Sequence, residues 1–282
     1  MFKFTPDKGI EIALIKKGKN IVDRIYVSPD TGENFKEQTS KKNKSLKIIG
    51  NVFNVPTGFE IMLSTFLPEK QTLRHVFIGS SGAGKTTFAA KFIKSFHESH
   101  EDKQVYIFSR HDSDETLDDI IGDFSLRVKI TEQDVIQARN RGEQLIELSD
   151  LSNSLCLFDD VNQTSTILTK YMYKLNDDLQ QSGRHNDTSI IHIIHNTNYK
   201  ETRFTLSEAI FYVFFINSLK TSLKKIMVNY CGLTDKEADY LLDLNVRWVA
   251  IRVVGYQYII TEKQIFTHKY LKKLVKGLTT NK

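Results

Sequence analysis

The stretch HVFIGSSGAGKTTFAAKFIKSF (residues 75–96) decides the fold of this chain. An apolar run of strand length leads into a glycine-rich turn, and apolar residues at helical spacing follow the turn. The turn, GSSGAGKTT (residues 79–87), matches the phosphate-loop pattern of Gly, four residues, Gly, Lys and Ser or Thr. It also lies between a strand and a helix, as that pattern requires. The stretch therefore predicts an α/β nucleotide-binding fold.

The residue types in this loop suit the binding of phosphate groups. Glycines let the backbone wrap without Cβ clashes, so that successive N–H groups and the positive end of the helix face phosphate oxygens. Lys85 is expected to reach the β and γ phosphates of ATP, and the Thr86 hydroxyl to hold Mg²⁺. The predicted nucleotide-binding set is Gly79, Ser80, Ser81, Gly82, Ala83, Gly84, Lys85, Thr86 and Thr87.

Outside the loop, apolar runs of strand length alternate with helical segments. The runs are HVFIGS, QVYIFSR, LRVKI, SLCLFDD, SIIHIIH and AIFYVFF. Near-continuous apolar strands joined by helices predict a mainly parallel sheet sandwiched by helices, as in P-loop NTPases. The aromatic run FYVFF (residues 211–215) is interpreted as a buried strand rather than as a platform for stacking bases.

Three segments are predicted along the chain. Residues 1–70 hold short alternating pieces separated by polar breaks, which indicate a β-rich N-terminal segment. Residues 71–217 form the P-loop ATPase core. Residues 218–282 form a basic, mixed α+β extension packed on the core, with two helical pieces followed by two strands around Gly255. We find no internal repeat in the sequence.

The charge of the chain is unevenly distributed. The formal net charge is +5, with about +5 in residues 1–50, about +7 in residues 218–282 and about −7 between them. The basic ends suit a polyanionic partner, although the lysine runs at residues 40–47 and 269–278 are also typical of solvated surface.

Composition indicates an intracellular, soluble protein. Of the 282 residues, 40% are hydrophobic and 26% are charged, which is enough for one large core. Cys156 and Cys231 lack the paired spacing of disulfides or thiolate metal sites. No apolar run approaches the roughly 20 residues that cross a bilayer, and the first residues do not form a signal peptide.

Two adjacent carboxylates end the apolar run SLCLFDD. Asp159, at the end of the run, is expected to bind the metal of a bound nucleotide. Asp160 projects to the other side of the chain, where it can orient and deprotonate a water molecule for attack on the γ phosphate. The alternative is that Asp160 caps the following helix.

Two histidines lie on the strand SIIHIIH. His192 and His195 are three residues apart and point to opposite faces, so they cannot bind one zinc ion together. We interpret His192 as a core residue. His195 ends the strand, at the edge where ligands of α/β proteins bind, and is expected to contact the nucleotide.

The order GSSGAGKTT, LCLFDDV and SGRHNDTSIIHIIHN resembles the genome-packaging ATPases of poxviruses and other nucleocytoplasmic large DNA viruses, a branch of the FtsK–HerA superfamily. The resemblance covers roughly residues 74–217, and the Gly-Arg-His before the last strand is its discriminating part. Family members usually have a glutamine at the end of that strand. Here His195 and Asn196 stand in its place, and either of them is expected to sense the γ phosphate.

The resemblance implies an ATPase that uses Mg²⁺ and is stimulated by DNA. It would form a homo-oligomeric ring that translocates double-stranded DNA into a preformed capsid, with a capsid or portal-vertex protein as partner, in the host cytoplasm and the virion. Ring motors complete each site with an arginine of the neighbouring subunit, because a guanidinium meets the charge that develops on the transferred phosphoryl group. Arg184 and Arg203 are the candidates, and either could instead be a structural ion-pair partner. The basic segment from Lys220 onward is the expected contributor to phosphate contacts with DNA.

Two other classes share parts of this pattern. A cellular ATPase of the AAA or plasmid-mobilisation type would keep the same catalytic residues and act on protein or on DNA transfer. A non-translocating nucleotide switch or a nucleoside kinase would need a base-recognition motif or an acceptor pocket, and the sequence shows neither.

Overall fold

The computed structural model describes residues 2–29, 38–40, 47–49, 51–67, 71–162, 165–195 and 200–280. Within these residues the strands are β1 Phe2–Thr5, β2 Ile10–Lys17, β3 Asn20–Pro29, β4 Gln38–Thr39, β5 Lys47–Ile49, β6 Val52–Asn54, β7 Glu60–Leu63, β8 Arg74–Ile78, β9 Gln104–Ser109, β10 Ser125–Val128, β11 Ser154–Asp159, β12 Thr188–Ile194, β13 Phe211–Phe215, β14 Trp248–Arg252, β15 Tyr258–Thr261 and β16 Gln264–Thr267. The α-helices are α1 Lys85–Ser99, α2 Glu115–Ile121, α3 Glu132–Arg141, α4 Thr166–Ser182, α5 Thr202–Glu208, α6 Lys220–Cys231, α7 Asp235–Leu242 and α8 His268–Thr280. Short 3₁₀ turns cover Leu148–Leu151 and Gly183–His185.

The chain divides into two compact units. One comprises residues 67–212, and the other comprises residues 1–66 together with residues 213–282. The second unit thus contains most of the first predicted segment and all of the last one. The division into three segments at residues 70 and 217 stays a prediction.

The unit of residues 67–212 is built on a parallel sheet. Five of its strands lie in the order β10-β9-β11-β12-β8, and each neighbouring pair is parallel. All six residues of β11 are buried. Because successive side chains of a strand point to opposite faces, the sheet is covered on both of them. The α/β class with a mainly parallel sheet between helices, predicted from the sequence, is confirmed.

The strand order brings the ends of four strands to one edge of this sheet. In the register, Asp159 of β11 lies opposite Ser109 of β9 on one side and Ile193 of β12 on the other. Ile194 of β12 lies opposite Ile78 of β8. The phosphate loop, the paired aspartates and the residues after β9 and β12 therefore share the carboxyl edge, where ligands of open α/β sheets bind.

Aromatic rings pack against one another beneath this edge of the sheet. Phe158 of β11 stacks on Phe108 of β9 at 4.8 Å and on His192 of β12 at 5.8 Å between ring centroids. Tyr173 and Leu175 of α4 belong to the same buried cluster. Close-packed aromatic contacts of this kind fix the strand ends and with them the functional side chains.

The unit of residues 1–66 and 213–282 is mixed. The strands β1-β3-β2-β7 form an antiparallel sheet in this order. The strands β14-β15-β16-β6-β5-β4 follow one another in a second antiparallel array. The predicted β-rich N-terminal segment and the two helical pieces, now α6 and α7, are confirmed. The predicted buried strand FYVFF is also confirmed, because every residue of β13 is buried.

The two strands predicted around Gly255 form as β14 and β15, and the structure adds a third strand, β16, after them. A tight turn separates β15 from β16, and the Thr261 hydroxyl oxygen accepts hydrogen bonds from the N–H groups of Lys263 and Gln264 at 3.2 and 3.1 Å. Threonine turns of this type carry none of the usual Gly, Pro or Asn signals. The structure also adds α8, at the lysine run that was interpreted as solvated surface.

Both cysteines are free and buried, and burial raises the pKa of the Cys156 thiol to about 12. Among the described residues, no helix combines the length and the apolar character needed to cross a membrane.

Candidate nucleotide-binding and hydrolysis site

The phosphate loop connects β8 to α1 as predicted. Gly82 and Gly84 adopt left-handed backbone angles, with φ of 74° and 91°, which side chains with a Cβ rarely allow. The Ala83 N–H donates to the Ser80 carbonyl at 3.2 Å, and the Gly79 N–H donates to the Ile194 carbonyl of β12 at 3.3 Å. The second bond ties the start of the loop to the neighbouring strand. The loop is thus shaped before a ligand binds.

Lys85 begins α1 and is nearly inaccessible, with 2% of its surface exposed. Its ammonium group donates to the Ser80 carbonyl at 2.6 Å, inside the curve of the loop. Burial lowers the pKa of Lys85 to about 8, against the opposing effect of Asp159 and Asp160. A bound phosphate group would take the place of the water that the buried Lys85 ammonium group has lost, and would stabilise its charged form.

Asp159 is buried, with 6% of its surface exposed, and its Oδ1 atom has no hydrogen-bond partner among the described residues. The Nε2 atom of His195 lies 3.6 Å from this Oδ1 atom, and among the described residues it also has no hydrogen-bond partner. A buried carboxylate oxygen without a partner is costly unless a cation or water meets it. Together with the Thr86 hydroxyl in the first turn of α1, it offers the oxygen ligands that Mg²⁺ prefers. These residues therefore fit a magnesium ion.

Asp160 follows with a left-handed backbone, at φ 47°, which is uncommon outside glycine. Its Oδ2 atom lies 3.1 Å from Nε of Arg110 and 3.3 Å from Nε2 of His111. Both described contacts are with Oδ2. The Oδ1 atom therefore remains as the oxygen that can accept a proton from water.

The alternative role of Asp160 as a helix cap is wrong. The helix after β11 begins at Thr166, and the Ser165 hydroxyl accepts the N–H of Leu168 at 3.3 Å. Serine is a preferred residue at this position, so the helix is capped without the aspartate.

Sequence reasoning did not predict Arg110 and His111. They follow β9, whose position beside β11 depends on the strand order rather than on any motif. The available signal was the pair of polar residues that directly follows the apolar run QVYIFS.

His192 is a buried core residue, as predicted. It is 1% exposed, and its Nδ1 atom lies 3.2 Å from the Asn176 Oδ1 atom of α4. Asn176 in turn donates to the Thr205 hydroxyl of α5 at 2.7 Å and to the Asp177 carboxylate at 3.3 Å. Burial lowers the pKa of His192 to about 3, and the nearby His195 adds to this effect. A polar network thus joins β12, α4 and α5 beneath the site.

Arg184 lies away from the phosphate loop. It belongs to the 3₁₀ turn before β12, at the amino edge of the sheet, and is exposed. The strand residues that separate it from the register of Asp159 span roughly 17 Å at about 3.3 Å each. Gly183 is required here because an added Cβ would lie 2.8 Å from the Thr188 carbonyl oxygen.

Hydrogen bonds from the buried Lys103 fix the loop that carries Arg184. Lys103 is 7% exposed, and its ammonium group donates to Asp187 at 2.5 Å and to Asn153 at 2.8 Å. Asp187 and Asn153 both have left-handed backbones, at φ 53° and 51°. No motif in the sequence indicates this tie, because its three members are far apart along the chain.

Arg203 is also exposed and lies in the first turn of α5. Within the described part of the chain, neither Arg203 nor Arg184 forms an ion pair, so the alternative of a structural ion-pair partner has no support there. Asn196, the other predicted sensor of the γ phosphate, lies outside the described residues. His195 is placed beside Asp159, whereas Arg184 lies at the opposite edge of the sheet.

Comparisons with known proteins identify relatives of this chain. The sequence profile of a family described as Poxvirus A32 protein matches residues 66–275. Uncharacterized protein V3 of the Sputnik virophage is 32% identical over 180 residues, which are 61% of this chain and 68% of that protein.

Two solved structures are also similar. B204, the DNA-packaging ATPase from Sulfolobus turreted icosahedral virus, is 15% identical over 68% of this chain and 98% of that chain, with a TM-score of 0.46. The conjugation coupling protein TcpA of pCW3, solved with ATPγS, is 11% identical over 97% of this chain and 91% of that chain, with a TM-score of 0.47.

Proposed function

This chain belongs to the poxvirus A32 protein family, and we propose that it is an ATP-hydrolysing motor that moves double-stranded DNA into a viral capsid. The observation that carries the proposal is the arrangement at one sheet edge of a phosphate loop, a buried lysine and two adjacent carboxylates. The resemblance of the sequence to genome-packaging ATPases supplies the substrate and the setting, the host cytoplasm where virions assemble.

The residues of the chain divide the work of hydrolysis. The loop amides and the Lys85 ammonium group bind the β and γ phosphates and meet the negative charge of the transition state. Asp159 and Thr86 would hold Mg²⁺, which when bound neutralises charge on the phosphate oxygens. Asp160, turned by its left-handed backbone and held through Oδ2 by Arg110 and His111, would accept the proton of the attacking water on Oδ1.

The separation of Arg184 from the site supports assembly into a homo-oligomeric ring. Arg184 lies at the opposite edge of the sheet, so it can serve a nucleotide only in another subunit. Arg203 is the second candidate for the same role. In such a ring each nucleotide would be completed by a neighbour, and the free energy of hydrolysis would be coupled to movement of DNA toward a capsid or portal-vertex protein.

The test is ATP turnover by the purified full-length chain, with and without long duplex DNA. Turnover is expected to require Mg²⁺ and to rise strongly with duplex, while affinity for duplex changes little with its sequence. Lys85→Ala is expected to abolish productive ATP binding and turnover, and its unaltered unfolding curve provides the control.

Different outcomes would favour different functions. Turnover that responds to a protein substrate and not to duplex would favour a remodelling ATPase. A protein that binds ATP without hydrolysing it, with duplex present, would be a nucleotide switch. Either result would overturn the proposal.

A further inference from the structure

The last described helix, α8, separates its residues by charge. It has no acidic residue, and four of its residues are lysines, all exposed: Lys269, Lys272, Lys273 and Lys276. At 100° per residue they fall within an arc of about 100° and span about 10 Å of the helix axis. The opposite side packs on α7 and β16, with Leu271 at 0% and Val275 at 9% exposure.

Two of the three lysines of α6 differ from Lys272 and Lys273 of α8, although both helices belong to the basic C-terminal segment. Lys220 of α6 pairs with Asp243 at 2.7 Å, and Lys224 pairs with Asp235 and Asp239 at 3.3 and 2.9 Å. Their charges are thus balanced within the chain. Within the described residues, Lys272 and Lys273 form no ion pair with a carboxylate. Lys272 and Lys273 thus carry positive charge that no described carboxylate balances, and they lie beside Lys269 and Lys276 on one side of α8.

The chemistry of this surface suits a row of phosphates. Lysines are flexible point charges that contact phosphates without reading bases. One strand of duplex DNA carries a phosphate about every 3.4 Å along its axis, so a row of about 10 Å covers about three of them. A membrane surface would also attract lysines, but helices that lie on membranes insert an apolar face, and here Leu271 and Val275 are buried in the protein.

We propose that the lysine row of α8, formed by Lys269, Lys272, Lys273 and Lys276, is a contact surface for the phosphate backbone of double-stranded DNA. This inference rests on the proposed function and names the surface through which the motor grips its substrate. It also narrows the expected DNA contact from the basic segment after Lys220 to one helix, on which the four lysines share one side.

The test is the salt dependence of duplex binding by the full-length protein. Fluorescence anisotropy of a labelled duplex would be measured between 50 and 200 mM KCl, conditions under which phosphate contacts dominate the change in affinity. Lys272→Gln with Lys273→Gln is expected to lower the slope of log Kd against log salt by about 2, since each lost phosphate contact removes about 0.9. Lys272→Arg with Lys273→Arg is expected to keep the slope of the wild type.

Lys220→Gln with Lys224→Gln is the matched control. It removes the same number of charges from the same segment, but we expect the slope to stay within the error of the wild type. ATP turnover without DNA, and the thermal unfolding curve, would be measured for every variant. Turnover without DNA is expected to stay unchanged in the α8 variants, because α8 contributes no residue to the nucleotide site.

The possible failures can be told apart. If the wild type binds duplex but the α8 and α6 variants have the same slope, the inference is overturned and the proposed function stands. If the wild type shows no binding that depends on salt, the DNA-moving function itself fails. If the α8 variant loses binding to phosphatidylserine vesicles and keeps its affinity for duplex, the surface is a membrane contact and the inference is overturned.

Discussion

Burial makes the charged form of Lys85 less favourable in the free protein than in water, which lowers its pKa to about 8. The side chain is buried against the loop carbonyl of Ser80, and the carboxylates of Asp159 and Asp160 offset only part of the cost of burial. A bound triphosphate adds negative charge next to the ammonium group, which favours its protonated form. The lysine is thus a sensitive reporter of whether the site is filled.

We therefore expect the pKa of Lys85 to be about 8 in the free protein and to rise toward 10.5 with ATP bound. The measurement is a pH titration of ¹³C-labelled lysine side chains by NMR, with the Lys85→Arg variant identifying the resonance. In the free protein, ATP affinity should fall as the pH rises through 8, because the neutral amine binds phosphate poorly. A midpoint near 10.5 without ATP would show that the lysine is not desolvated.

Substitution of Asp160 and substitution of Asp159 should impair different steps, hydrolysis in the first case and Mg²⁺-dependent binding in the second. Asp160→Asn keeps the size and polarity of the side chain but removes the base, so Mg-ATP binding should persist while turnover falls by roughly 10²–10⁴, or about 3 to 5 kcal/mol of barrier. Asp159→Asn should instead weaken the part of ATP binding that depends on Mg²⁺. Titration of a fluorescent ATP analogue with and without Mg²⁺, beside single-turnover rates, separates the two effects. Equal losses of affinity in both variants would contradict this division.

Among individual residues, the sequence predicts the roles of those that belong to a recognisable motif. The loop around Lys85 could be assigned because its glycine spacing is typical of phosphate binding, and Asp159 because a carboxylate that ends a buried strand is typical of metal binding in such proteins. Arg110, His111 and Lys103 could not, because each acts through a partner at least 49 residues away along the chain. Their contacts arise only from the strand order.

At the level of elements, α4, α5 and β12 meet in a polar network. In this network, burial disfavours the charged form of Asp177. Asp177 of α4 accepts hydrogen bonds from Asn176 and the Thr205 hydroxyl, but burial raises its pKa to about 6. The folded state therefore holds this proton more tightly than the unfolded state, whose carboxyl titrates near 3.8. In the window between these values, the contribution of Asp177 to stability falls as the pH rises.

Asp177→Asn should accordingly stabilise the protein at pH 8, on the order of 1 kcal/mol once solvent screening is allowed for, and have little effect at pH 4. The asparagine keeps the acceptor oxygen and loses the charge. Urea unfolding at the two pH values measures the difference. Lys174→Gln, on the exposed face of the same helix, should stay within about 0.5 kcal/mol at both. A gain of equal size at pH 4 would rule out ionisation as the cause.

Element types were predictable wherever periodicity was strong, as in β8, α1 and β11. The turn between β15 and β16 was not, because a threonine side chain replaces the usual turn residues. The helix α8 was hidden for another reason, since its lysines at helical spacing are equally typical of solvated surface until the burial of Leu271 and Val275 is known.

For the whole molecule, the central question is which residues of one subunit complete the site of another. The sheet separates its two edges by the length of a strand, so a site at the carboxyl edge cannot use the arginine that precedes β12 in the same chain. Arg203 lies in the first turn of α5, which follows the carboxyl end of β12 along the chain. Only assembly decides which of the two guanidinium groups meets a nucleotide.

Mixed rings can identify the arginine. Arg184→Ala should bind ATP and assemble nearly normally, yet lose hydrolysis by about 10³–10⁵, as removal of an arginine finger does. Asp160→Asn subunits are also expected to be inactive alone. When the two are mixed, some interfaces pair an intact Asp160 site with an intact Arg184 donor, so part of the turnover should return. The stoichiometry of the rings would be verified by native mass measurement.

Recovery with Arg203→Ala in place of Arg184→Ala, and none with Arg184→Ala, would transfer the role to Arg203. Absence of recovery with either variant in verified mixed rings would refute completion of the site by a neighbouring subunit.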